Sequence, residues 1–413
     1  MTALERFLRY LQYDTQSEEA SPRTPSTDRQ RLLGAALAQE MQEMGLENAH
    51  LAANGAVYGW LPATPGKEGL PVVALIAHMD TAPRVPGGPV RARLVPYDGG
   101  NIVLNEARGI VMTPEEFPDL HEQVGRTLVV TDGTTLLGAD DKAGIAEILT
   151  ALERLLAHPE RPHGRVAVCI TPDEEVGRGA DYVDLTLLGA DVGYTVDGGA
   201  LGSLEYENFH AASAVVTVHG VNIHPGEGKG KLKNACLIAA RFIAMVPPGE
   251  DPAHTEGYEG FYHLCQMTGD ESEAVLHWIL RDHDRAAFTR RKETMERIAA
   301  FLCEEYGPGS VEVTLTDSYQ NMKEAILPHP QLLTWAREAF RKVGVEPRET
   351  PIRGGTDGAQ LSQRGLPCPN LSTGGYHFHG IYEYIPVESL DKMTEMLEEL
   401  LVGIDKTGKE KKV

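Results

Sequence analysis

Cysteine is scarce in this chain and follows no pattern. The five residues (Cys169, Cys236, Cys265, Cys303 and Cys368) are widely spaced, odd in number and form no C-x-x-C pair. A disulfide framework and a cysteine zinc knuckle are thereby excluded, and a reducing cytoplasm is the expected setting. Basic residues are in deficit as well: 38 Lys and Arg stand against 60 Asp and Glu, a net charge of −22 with histidine neutral. Nucleic acid and anionic membrane are bound through clustered Lys and Arg, so neither is an expected partner. No apolar run approaches the ~18–20 residues of a spanning helix. The opening MTALERFLRYLQYDTQSEE lacks the basic-then-apolar order of a secretory signal and reads as an amphipathic helix. Also missing are H-E-x-x-H, G-x-S-x-G and G-x-x-x-x-G-K-[ST], which removes three common catalytic and phosphate-binding templates.

What remains is a soluble-looking chain of 413 residues, long enough for two or three cores of roughly 100–200 residues each. Short apolar runs at Val72–Ala77, Arg165–Ile170 and Val192–Val196 read as strands buried on both faces. Helical periodicity at Gln30–Met44, stopped by Gly45, and at Lys142–Leu156 separates them. A Gly/Pro-broken stretch between Arg91 and Val130 reads as an antiparallel excursion. Near Asn208 the pattern changes: strand Ala212–His219, helix Asn234–Met245, strands Phe261–Met267 and Ala274–Leu280, helix Arg285–Cys303 and strand Val311–Thr316 follow in turn. This is the β-α-β-β-α-β order of a ferredoxin-like domain. After Asn321 come helix Gln331–Val343, a strand near Pro369–Ser372 and helix Val387–Leu401, and the basic tail 406–412 reads as a solvated end. The expected architecture is therefore an α/β domain with a mainly parallel sheet covered by helices, residues 1–208 and 321–413, interrupted by an inserted α+β domain, 209–320.

Chemistry-bearing residues follow the strands. His78-Met79-Asp80 succeeds VVALIA, Asp173-Glu174-Glu175 succeeds RVAVCI, Asp197 ends VGYTV, Ala139-Asp140-Asp141 opens a helix, and His377-Phe378-His379 succeeds PNLSTGG. Taken singly, each has an ordinary explanation as a helix cap, a solvated turn or a loop histidine. Ligands of open α/β sheets gather at the carboxyl ends of strands, so together the segments can converge on one site. Nitrogen and oxygen donors without thiolate suit Zn²⁺, Co²⁺ or Mn²⁺, and so many acids in one place call for a cationic counter-charge.

The segments ALIAHMDT (74–81), GADDKAGIAEI (138–148), TPDEEVGRGA (171–180), YTVDGG (194–199), GVNIHPG (220–226), IRGGTDGAQLS (352–362) and NLSTGGYHFHG (370–380) resemble, in order, those of the M20 family of di-zinc metallopeptidases, and among them the tripeptide aminopeptidases. The sequence departs from the family pattern at Glu227-Gly228, where Thr-Ala is expected, and at Ala359, where Ser is usual. The resemblance implies two zinc ions per chain, with cobalt or manganese as alternatives. Asp140 would bridge them, His78 and Asp197 would complete one, and Glu175 and His379 the other. It further implies a cis peptide after Asp140, Asp80 as the carboxylate that holds His78, and Glu174 as general base toward a metal-bridging water. His224 would stabilise the oxyanion, and Arg353, Thr356 with Asp357, and more weakly Arg281, would contact a small peptide substrate. A homodimer through the inserted domain is the expected assembly. Other M20 activities (dipeptidase, carboxypeptidase, N-acyl amino-acid deacylase) share this metal set. A non-catalytic calcium protein is disfavoured by the absence of D-x-[DN]-x-[DN]-G spacing.

Overall fold

The apolar runs pair with one another. In the computed structural model, which describes residues 1–405 and so leaves the basic tail outside, Val166–Thr171, Val73–His78, Val192–Gly198 and Asn370–Ser372 lie side by side and parallel. Every residue of Val73–His78 and Val166–Thr171 is buried, as strands covered on both faces must be. Antiparallel Glu47–Leu51 and Val57–Leu61 extend one edge of this sheet, and Ser203–Glu205 with Arg348–Glu349 extend the other. The first pair escapes the sequence pattern because ENAHL is partly exposed and has no apolar run, and VYGWL carries a glycine.

Helix Arg29–Met44 ends where expected, with Gly45 in the left-handed region at φ 90°. Helix Ala139–Ala157 packs on Val73–His78 and Val192–Gly198. Gly144 permits that approach: a methyl there would collide with the Val196 carbonyl and the Asp141 carboxylate. The assigned helix begins three residues before Lys142, but Asp140 and Asp141 have non-helical backbone angles and are joined by a cis peptide bond. The stretch after Arg91 is antiparallel, with Arg93–Tyr97, Arg126–Val130 and Tyr384–Pro386 forming one small sheet and Ile102–Asn105 with Ile110–Met112 a hairpin.

Two compact units result. The first holds Met1–Tyr206, Met322–Thr350 and the chain from Thr356 onward; the second holds Glu207–Asn321 and Pro351–Gly355. The short segment Pro351–Gly355 corrects the sequence-based division, which left 321–413 undivided. Its backbone bonds explain the difference: Ile352 N–H donates to the Glu207 carbonyl at 2.8 Å, and the Ile352 carbonyl lies 3.1 Å from His283 Nε2. Such long-range pairing leaves no local sequence signal.

The second unit is an antiparallel sheet in the order Phe261–Gly269, Glu273–Asp282, His210–His219, Val311–Tyr319. Helices Ala235–Met245 and Arg285–Tyr306 start at the capping side chains of Asn234 and Asp284. Ala212, Ala214, Val216 and Val218 alternate into a core with Ile238, Phe242, Met295 and Leu302. Full burial of such a side chain is worth about 1.5–3 kcal/mol. No helix among the described residues is long and apolar enough to cross a membrane.

Candidate metal centre

The carboxyl ends of the four parallel strands deliver the acids and histidines. His78 closes its own strand; Asp173-Glu174-Glu175 follows Val166–Thr171; Asp197 lies in the last turn of pleat of Val192–Gly198; His379 follows Asn370–Ser372. Asp140 arrives from the start of the helix held down at Gly144.

These side chains meet around Asp140. Its Oδ1 lies 2.8 Å from His78 Nε2 and its Oδ2 3.0 Å from His379 Nε2. On the first side Asp197 Oδ1 is 3.3 Å from the same His78 nitrogen; on the second, Glu175 Oε2 is 2.9 Å from that of His379. Asp140 thus stands between a His78–Asp197 pair and a His379–Glu175 pair. Two overlapping ligand groups occur here, His78 with Asp140 and Glu175, and His78 with Asp141 and Asp197. Asp141 is the weaker donor of the two adjacent acids, because its oxygens accept the backbone N–H groups of His78 and Gly144.

The donor set fits divalent metal. Glu175 Oε1 is buried without a hydrogen-bond partner, an atom that a cation would satisfy. Burial, then Asp140, pushes the Glu175 carboxyl up to about 7, and burial lifts Asp197 to about 6. Bonds to Asp140 and Glu175 raise His379 to about 11. Burial opposes ionisation of Asp140 too, but hydrogen bonds with His379 and His78 hold it well below its usual range. A bound cation would supply the counter-charge that these buried acids lack.

The surrounding bonds fix the acids. Asp80 Oδ1 accepts the Glu174 N–H at 3.0 Å and Oδ2 the Glu175 N–H at 3.2 Å. His78 Nδ1 meets the main-chain oxygen of Asp80 at 3.1 Å, with the carboxylate farther away at 3.4 Å. The Asp80 carboxylate therefore anchors the Glu174-Glu175 turn as much as the imidazole. Asp173, which no sequence motif singles out from its neighbours, sits at φ 60° and accepts from Ser26 N–H and Gln30 Nε2. Glu174 has no hydrogen bond to its carboxyl among the described residues, and burial followed by Asp197 pushes it well above the carboxylate range.

The remaining sequence candidates are engaged in other bonds. Thr356 Oγ1 caps the helix Asp357–Gln363 by accepting the Ala359 N–H. Asp357 is buried, accepts the Thr171 hydroxyl at 2.6 Å and leaves Oδ1 unpartnered. Within the second unit, Arg353 donates to the carbonyls of Gly257, Glu259 and Thr255 and to Thr255 Oγ1. Arg281 donates to the Ala212 and Leu280 carbonyls and lies over the Tyr319 ring. His224 caps an exposed turn, its Nδ1 accepting from Gly226 N–H.

An acid-and-histidine centre at the strand ends of an α/β domain defines a metallohydrolase class of site. The chain belongs to peptidase family M20/M25/M40, whose family model matches residues 129–402. It is 51% identical over 401 residues to a peptidase T of Desulfitobacterium hafniense, covering 97% of each chain. In fold it is similar to an aminopeptidase PepT from Bacillus cereus, with a TM-score of 0.76, 24% identity and 97% of both chains covered. It is also similar to a dinuclear metal binding peptidase of the M20 family from Bacillus subtilis, with a TM-score of 0.63 and 14% identity over 97% of this chain and 98% of that one.

Proposed function

We propose that this protein is a metal-dependent aminopeptidase that releases the N-terminal residue of tripeptides, with two zinc ions per chain, acting as a cytoplasmic homodimer assembled through the inserted unit. The observation that carries this reading is the Asp140 carboxylate set between the His78–Asp197 and His379–Glu175 pairs. The peptidase T name of relatives about half identical over nearly the full chain supports the substrate class. Bound metals would polarise the scissile carbonyl and ease ionisation of the attacking water; cobalt or manganese suits the same donors.

The chain's own residues divide the remaining work. Glu174, whose carboxyl makes no hydrogen bond among the described residues and is inclined by burial to take up a proton, takes one from the attacking water and returns it to the departing amine. Asp80 keeps the Glu174 and Glu175 backbones in place. Arg353, whose terminal N–H groups are taken by the 255–259 loop, keeps its positive charge and its Nε–H for a substrate carboxylate, with Arg281 and Thr356 as further contacts. The acidic surface favours no nucleic-acid or membrane partner.

A substrate panel tests the reading. Free-amine tripeptides are expected to be cleaved at the first peptide bond, while dipeptides, N-acyl amino acids and amine-blocked tripeptides are turned over poorly. A preference for acyl substrates, or release from the carboxyl end, would assign one of the other M20 activities instead. Sedimentation of the intact chain reads the dimer.

The GVNIHPG turn supports His224 as the donor to the oxyanion. His224→Ala is expected to leave metal content and KM near normal while kcat falls about 10²–10³-fold, the usual cost of one lost oxyanion donor. A normal kcat would make His224 an ordinary turn residue.

A further inference from the structure

Asp140 has to present one oxygen to each histidine, and its own side chain contains nothing that fixes its backbone. That backbone is gripped from a distant segment. Glu383 is 1% exposed. Its Oε2 accepts the N–H of Leu137 at 2.7 Å and of Gly138 at 2.8 Å, and its Oε1 accepts the N–H of Asp140 at 3.1 Å. Three charge-assisted bonds from one carboxylate hold the turn just before the cis Asp140-Asp141 bond.

Glu383 lies four residues after His379, in a loop that closes on itself. Tyr376 N–H donates to the Tyr384 carbonyl at 2.9 Å, and Tyr384 N–H donates back at 3.1 Å. Asp119 secures this loop from outside, lying 2.9 Å from His377 Nε2 and accepting the Tyr384 hydroxyl. His377 and His379 both hold positive φ, 56° and 62°, which non-glycine residues adopt only when neighbours enforce it. One loop therefore carries His379 and, through Glu383, sets the position of Asp140.

We propose that Glu383 is a positioning residue of the metal centre, coupling the Asp140 turn to the His379 loop so that both ligands are aligned before metal arrives. The proposal rests on the metallopeptidase reading above. Outer partners that orient metal ligands typically contribute 10–100-fold to affinity.

The test is titration of chelator-stripped protein with zinc alone against a competing indicator, for wild type, Glu383→Gln and Glu383→Asp. Glu383→Gln keeps the size but sets an NH₂ group against a backbone donor, whereas Glu383→Asp keeps both oxygens one methylene short. Zinc affinity is expected to fall 10–100-fold in Glu383→Gln and less in Glu383→Asp. Tripeptide KM should stay unchanged, and kcat should return as zinc is raised by the same factor. Rescue by metal separates positioning from misfolding. Unchanged zinc affinity in Glu383→Gln overturns the proposal, as does cooperative unfolding of both variants, which would make Glu383 a fold determinant. A wild-type protein that binds no zinc would remove the underlying reading as well.

Discussion

Chelator treatment is expected to abolish tripeptide hydrolysis completely, and zinc, cobalt or manganese to restore it at close to two ions per chain. Five donors, one of them the central Asp140 carboxylate, are too many for one four-coordinate zinc and suit a pair. Burial raises Glu175 and Asp197 in the stripped centre, so their charged forms gain from a bound cation. Metal should consequently also raise the thermal midpoint, with about 2.7 kcal/mol gained at a hundredfold excess over Kd. Elemental analysis alongside turnover, before and after chelation, reads both effects. Full activity in metal-free protein would overturn the metallopeptidase assignment.

The second large effect separates the two adjacent glutamates. Glu174→Gln removes a carboxylate that makes no hydrogen bond among the described residues, so folding and metal content should hold. Turnover should fall about 10²–10⁴-fold, the range for a lost general base. Glu175→Gln removes a side chain lying against His379 and should instead lower the metal content. Consecutive residues of a tight turn leave it in different directions, and the Asp80 carboxylate holds both their N–H groups. Metal loss in Glu174→Gln with retained metal in Glu175→Gln would invert the roles.

Much of this was legible before any coordinates, for a physical reason. Strands buried on both faces must be continuous apolar runs, so VALIAH and VAVCIT announce themselves, and acids placed just beyond them have one place to gather. The inserted unit is similarly readable, because one covered face leaves an alternation from Ala212 to His219. Asp173 and Glu383 were not legible as anchors. Their partners are backbone N–H groups and a helix more than a hundred residues away, and neither contact imposes a period or a composition. Pro351–Gly355 was misassigned for the same reason. Arg353 shows the converse: the residue is conspicuous in a glycine-rich segment, yet nothing local tells that its guanidinium is fastened to the 255–259 loop.

The order in which the centre's parts occur along the chain has a consequence for synthesis. Positions 78, 140, 175 and 197 leave the ribosome early, whereas His379 and Glu383 come from the last strand-and-loop segment of the sheet. A growing chain emerges N-terminus first, so His379 and the carboxylate that bonds the Leu137–Asp140 turn are added after the other four positions. On the proposed function, the ligand set is therefore complete only when the segment that carries His379 has joined the sheet.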